Sequence, residues 1–113
     1  MAQDNGSGQA DHRSVGRDEV FLRTSLAVGR RTGIGAQIVN ISPRGFMART
    51  PEIFATDTTI TLLLPSVGEV SARIVWSLGG RIGAEFEVPF TETEYPGLLA
   101  AIKTARPNWQ LRL

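Results

Sequence analysis

Residues 13–45 read RSVGRDEVFLRTSLAVGRRTGIGAQIVNISPRG, and this stretch decides the fold. Its first half alternates with a period of two. Val20, Leu22, Thr24, Leu26 and Val28 share one face, while Glu19, Phe21, Arg23 and Ser25 share the other. Successive side chains of a strand point to opposite faces, so the pattern predicts a half-buried β-strand. Gly29-Arg30-Arg31-Thr32-Gly33 reads as a hairpin loop, after which Ile34, Ala36 and Ile38 carry the alternation back. Two polar motifs bracket the pair: Arg13 and Arg17 form R-x-x-x-R, and Asn40, Ser42 and Gly45 form N-x-S-x-x-G. Asn40 follows Arg17 by 23 positions, a spacing that suits one strand out, a turn and one strand back.

Downstream the alternation continues. Phe46 and Ala48 oppose Met47 and Arg49; Ile60, Leu62 and Leu64 share a face that Pro65 and Ser66-Val67-Gly68 bring to a turn. Val70, Ala72, Ile74 and Trp76 return with Ser71 and Arg73 outward, so Trp76 is expected in the core. Gly79-Gly80 signals a further hairpin, and Ile82, Ala84, Phe86 and Val88 close the series with Arg81, Glu85 and Glu87 outward. About six short strands at hairpin spacing suggest a small antiparallel barrel or sandwich, and closure would remove exposed edges. The end changes period. Pro96 suits a first helical turn, and Leu98, Leu99, Ile102 and Ala105 form a helical stripe before Pro107 stops it, predicting a helix over about residues 96–106. That helix is expected to pack as a lid on the barrel. Whether Trp109 and Leu111 beyond it fold back or stay out is open.

Each motif is weak alone. With 11 arginines in the chain, R-x-x-x-R arises about once by chance. A [DN]-x-S-x-x-G turn arises in roughly one shuffled sequence of twenty-five. In order and at this spacing, followed by Gly45-Phe46, by Val70 to Trp76 and by Ile82-Gly83-Ala84-Glu85-Phe86, the set is specific. Over roughly residues 13–90 the chain resembles the PilZ family, bacterial β-barrels of which most bind the second messenger cyclic di-GMP. The resemblance implies a mainly β fold, a small antiparallel six-stranded β-barrel with a C-terminal α-helix. It implies a cyclic di-GMP-binding module that relays the messenger to a protein partner. Its site residues would be Arg13, Arg17, Asn40, Ser42 and Gly45, with Arg44 as a further candidate.

The residue types suit that ligand. Guanine presents O6 and N7 as adjacent acceptors, which one guanidinium meets with two hydrogen bonds worth about 1–3 kcal/mol. A guanidinium also stacks on a purine face. Asn40 would meet the guanine through its amide oxygen, and Ser42 can donate to phosphate or base. Many family members carry Asp at the Asn40 position, which lowers the expected affinity here. Gly45 is expected to give a backbone shape, with positive φ or close ligand approach, that a Cβ would hinder. Taken alone, Asn40, Ser42 and Gly45 would read as a plain Asx/Ser turn; the arginine pair favours the ligand reading. Arg30, Arg31, Glu85 and Glu87 read as solvated charges, and His12 as a tail residue.

Length and composition bound the alternatives. At 113 residues the chain fits one domain, read as residues 13–113 behind a flexible polar tail over residues 1–12. An arm over about residues 11–17 is expected to be mobile without ligand and ordered with it. There is no cysteine, so no disulfide framework or thiolate metal site is expected. No apolar run is long enough to span a membrane and none follows a basic start, so a cytoplasmic location is the natural reading. A net charge of +1 argues against bulk nucleic-acid binding. The one histidine lies in the polar tail and no close carboxylate pair stands out, so no catalytic residues, metal or cofactor are expected and the chain reads as no enzyme. The competing reading is a PilZ-fold adaptor that binds protein and no nucleotide. An oligonucleotide-binding barrel is disfavoured by the scarcity of aromatics on strand faces.

Overall fold

The computed structural model describes residues 16–105. Six antiparallel strands form β1 (Asp18–Val28), β2 (Arg31–Ile41), β3 (Gly45–Arg49), β4 (Thr59–Leu64), β5 (Gly68–Leu78) and β6 (Arg81–Phe86). They close into a barrel in the order β1-β2-β3-β6-β5-β4, so every strand has two neighbours. The chain is thus mainly β, with one helix, α1 (Tyr95–Thr104), after the last strand.

The alternation seen in the sequence builds the interior. Leu22 and Leu26 from β1, Ile34 and Ile38 from β2, Phe46 and Ala48 from β3, and their counterparts on β4 to β6 form one buried cluster. Leu98 and Ile102 of α1 belong to the same cluster, and Tyr95 and Leu99 pack against it, so the helix does cover the barrel. The β5–β6 hairpin turns at Gly79 and Gly80, whose φ values of 63° and 77° belong to the left-handed region that a two-residue turn of this kind requires.

Four details differ from the sequence reading. The first hairpin is tighter than a five-residue loop: Val28 pairs with Arg31, leaving Gly29 and Arg30 as the turn. The helix starts at Tyr95 and ends at Thr104. Ahead of it, Thr91 and Glu94 exchange side-chain-to-backbone hydrogen bonds of 2.9 and 3.1 Å, a reciprocal cap that the Thr-x-x-Glu spacing encodes. Val88 is not a core residue: it lies past the end of β6 and is 79% exposed.

The largest departure is Trp76. Between Ile74 and Trp76 the β5–β6 register shifts by one residue, because Ile74 pairs with Ala84 and Trp76 with Gly83. Val75 is the extra residue, and a bulge of this kind moves every later side chain to the opposite face. Trp76 therefore points outward and is 38% exposed. Ser77 pairs with buried Ile82, and its hydroxyl accepts a hydrogen bond from the Phe54 N–H at 3.1 Å. A second shift falls at Val39 of β2, where Ile38 pairs with Ala48 and Asn40 with Met47. Strict alternation from Ile34 and Ile38 would turn Asn40 inward; the bulge turns it out and buries Ile41 completely.

Candidate functional site

The two bulges put one row of side chains on the outer face. Asn40 pairs with Met47, Met47 with Gly83, and Gly83 with Trp76, so the row crosses β2, β3, β6 and β5. Asn40 Nδ2 lies 3.9 Å from Met47 Sδ. The Trp76 indole lies on Gly83, where a Cβ would collide with the indole ring at Nε1 and Cε2. The row lines an open concavity of about 270 Å³, together with Arg17, Ser42, Arg44, Gly45 and Glu85.

The turn between β2 and β3 is built from its own polar atoms. The Ser42 hydroxyl oxygen accepts the N–H groups of Arg44 and Gly45 at 3.3 Å each. The Ser42 N–H donates to the Gly45 carbonyl at 2.8 Å. Two outside bonds fasten the turn: the Phe86 N–H donates to the Arg44 carbonyl at 2.8 Å and the Phe90 N–H to the Pro43 carbonyl at 2.9 Å. Phe86 in turn packs between Phe46 and Phe90, at ring separations of 5.6 and 5.0 Å. The plain-turn reading of the serine thus holds alongside any binding role, and the hydroxyl, whose oxygen lies 3.4 Å from the Gly45 carbonyl oxygen, donates only loosely.

Gly45 has a different reason for being glycine than its expected one. Its φ is not among the positive values; a Cβ would instead collide with the Ala84 carbonyl oxygen of β6. The close approach that calls for glycine is one between strands β3 and β6.

Arg17 stands exposed immediately before β1, beside Asn40 because Glu19 pairs with Asn40 across the first hairpin. Arg13 and His12 lie outside the described residues, as do Trp109 and Leu111 and most of the expected mobile arm. Glu85 and Arg31 are not simply solvated charges. Glu85 accepts from Arg73 at 2.7 Å, Arg73 also donates to Asp57 at 2.9 Å, and Arg31 pairs with Glu52 at 2.8 Å. Among the described residues neither Arg17 nor Arg44 has an ion-pair partner, which leaves two guanidiniums at the concavity available to an anion. A larger groove of about 560 Å³, beside Val70, Val88 and Phe90, carries Glu87 and Glu94 and no basic residue, so its charge opposes a phosphate.

Behind the concavity, the Tyr95 hydroxyl donates to Asp18 Oδ2 at 2.7 Å and also contacts the Ile41 carbonyl at 3.1 Å. Burial raises the Tyr95 pKa far above its ordinary value, and the Asp18 carboxylate, by hydrogen bond and by charge, raises it further. The phenol is therefore a fixed donor over the physiological range. Among the described residues there is no group of three or more His, Cys, Asp or Glu that could hold a metal ion.

The PilZ domain family profile matches residues 12–102. This chain belongs to the PilZ domain family. PilZ domains are generally receptors for cyclic di-GMP, binding modules and not enzymes. No curated protein gave a match to the chain. Among the described residues no helix is long and apolar enough to cross a membrane.

Of the site residues read from the sequence, Arg17, Asn40, Ser42, Gly45 and the further candidate Arg44 come together at this one concavity. Sequence reading missed Met47, Trp76, Gly83 and Glu85 as neighbours of the site. One signal was present: a glycine inside a strand pattern, as at Gly83, marks a place where another group approaches closely.

Proposed function

We propose that this PilZ domain is a cyclic di-GMP receptor whose ligand lies on the outer face of β2, β3, β5 and β6, with no catalytic role and no further cofactor. The observation that carries the reading is the convergence of Arg17, from ahead of β1, with Asn40, Ser42, Arg44 and Gly45 around the β2–β3 turn on one concavity, its two guanidiniums unpaired among the described residues. Arg17, with Arg13 ahead of it, supplies the forks for guanine O6 and N7 and for phosphate. Asn40 offers its amide oxygen to the guanine N1–H and N2–H edge, and Arg44 faces a phosphate. The Trp76 ring is a wall on which a base can stack, a contact typically worth about 1–3 kcal/mol.

Size supports a shared site. At about 270 Å³ the concavity is just below the usual range for a drug-sized ligand, so it seats part of a two-base nucleotide. The remainder meets the arginine arm, and the arm with bound nucleotide forms the new surface that a protein partner reads. A cytoplasmic setting goes with this role, since the messenger is an intracellular nucleotide.

Calorimetric titration with cyclic di-GMP, with cyclic di-AMP and GTP as competitors, tests the reading. Saturable binding of cyclic di-GMP with much weaker competition by the adenine analogue is expected, because the adenine N6 amine sets donor against donor at an arginine fork. Equal affinity for both cyclic dinucleotides would overturn it. A flat titration would leave the barrel as a protein-binding adaptor.

A further inference from the structure

Tyr95 is the first residue of α1, yet its hydroxyl reaches the two segments that hold the concavity's polar residues. Asp18, at 2.7 Å, directly follows Arg17, and Ile41, whose carbonyl is at 3.1 Å, directly follows Asn40. The hydroxyl has one proton to share between these acceptors, and the shorter, charge-assisted contact to Asp18 is the stronger. Asp18 and Ile41 are themselves pair partners at the last rung of the β1–β2 ladder, where fraying is easiest. The side chain is half-buried and packs against the core cluster that also takes Leu98 and Ile102 of the same helix.

We infer that Tyr95 is a positioning residue for the nucleotide site: its hydroxyl clamps the open end of the β1–β2 ladder, so that docking of α1 and occupancy of the concavity support one another. The inference rests on the receptor reading above and adds a regulatory link to it. Coupling between two sites is reciprocal. A ligand that clamps Arg17 against Asn40 tightens the rung that Tyr95 bridges, and so strengthens the seating of α1. A partner that pulls α1 from the barrel weakens the nucleotide site by the same factor. Helix α1 thereby becomes an element whose docking reports ligand.

The test uses the full chain, Tyr95→Phe, and two readouts. Tyr95→Phe removes one oxygen and keeps the ring in its packing place. Without ligand, amide hydrogen exchange should rise at residues 17–20 and 40–42 and stay unchanged in β4 and β5. With cyclic di-GMP, calorimetry should show an affinity loss of about five- to twentyfold, the lower range of usual coupling. Ile60→Val, a trim of the buried core away from the concavity, serves as the control for lowered stability and should leave affinity unchanged. In a double-mutant cycle with Asp18→Ala, the two losses should be less than additive, because both remove the same bond. Unchanged exchange at residues 17–20 and 40–42 in Tyr95→Phe would overturn the clamp whether or not nucleotide binds. Raised exchange with unchanged affinity would overturn the coupling while leaving the receptor reading intact. Absence of cyclic di-GMP binding by the wild-type chain would overturn the receptor reading, and the coupling with it.

Discussion

The turn bearing Ser42 and Arg44 and the segment bearing Arg17 flank the same concavity, and they are held in different ways. Bonds from Phe86 and Phe90 fasten the turn, Ser42 braces it from within, and Gly45 lets β3 lie close against β6. Arg17 stands one residue ahead of a ladder end whose last rung is steadied by a single phenol. One wall is therefore fixed by bonds of its own, whereas the other rests on one phenol and, on the receptor reading proposed above, is completed by the ligand. The contrast separates the work of making a shape from the work of responding to a molecule, and each half can be attacked by itself.

The largest effect should come from the finished wall. Gly45→Ala sets a Cβ against the Ala84 carbonyl of a neighbouring strand, where neither backbone can give way cheaply. Loss of about 2–3 kcal/mol of stability is expected in a thermal or urea melt, with loss of nucleotide binding as the turn shifts. Arg17→Ala is the complementary change on the responsive wall. Binding should weaken about 10- to 100-fold by calorimetry, while the melting curve stays within about 0.5 kcal/mol of wild type, because an exposed residue ahead of β1 contributes little to folding. If both variants lose stability alike, the contrast between the walls fails.

Trp76→Ala should fall between these in character. A buried indole would cost about 3–5 kcal/mol on truncation. This one lies 38% exposed on Gly83, so a loss of only about 1 kcal/mol is expected, together with a five- to fiftyfold weaker affinity from the lost stacking wall. In a Trp109→Phe background the selectively excited tryptophan fluorescence belongs to Trp76 alone, and it should change as cyclic di-GMP saturates. An unaltered spectrum at saturation would place the base elsewhere.

The smallest effect concerns pH. The chain has one tyrosine, so phenolate absorbance reports Tyr95 without ambiguity. Its folded-state pKa is raised above the unfolded value, so its contribution to stability is intact below about pH 10 and is lost as pH climbs beyond. The phenolate signal should appear only above the ordinary tyrosine range and together with unfolding. Titration at the ordinary value in a folded protein would show that the bond to Asp18 does not hold.

Much of this was legible in the sequence because burial in a barrel follows a period of two. Leu22, Leu26, Ile60, Leu62, Ala72 and Ile82 all lie where alternation puts them. The polar motifs were legible because their types and spacing survive whatever the backbone does between them. Alternation failed where a bulge intervened, since an inserted residue such as Val75 looks like any other β-branched strand residue. The same holds at Val39, where Asn40 would have been counted inward by parity. The Arg73 network with Asp57 and Glu85 was invisible for another reason: it joins β5 to β6 and to a loop far along the chain, and only the cross-strand register, Arg73 opposite Glu85, brings these charges together.

The bulge at Val75 bears on how such a surface can arise. Were β5 to run through residues 74–76 with no bulge and Val75 in regular pairing, Trp76 would fall opposite Ile82 and turn inward with Ile74, and the outer face would have no aromatic ring beside Asn40 and Arg17. The pairing register at one residue of β5, with no substitution at the tryptophan itself, thus decides on which side of the barrel wall the indole lies. The outer face of a closed barrel is therefore written in strand pairing as well as in residue type, and a variant that shifts the β5–β6 register would alter this surface as much as a substitution on it.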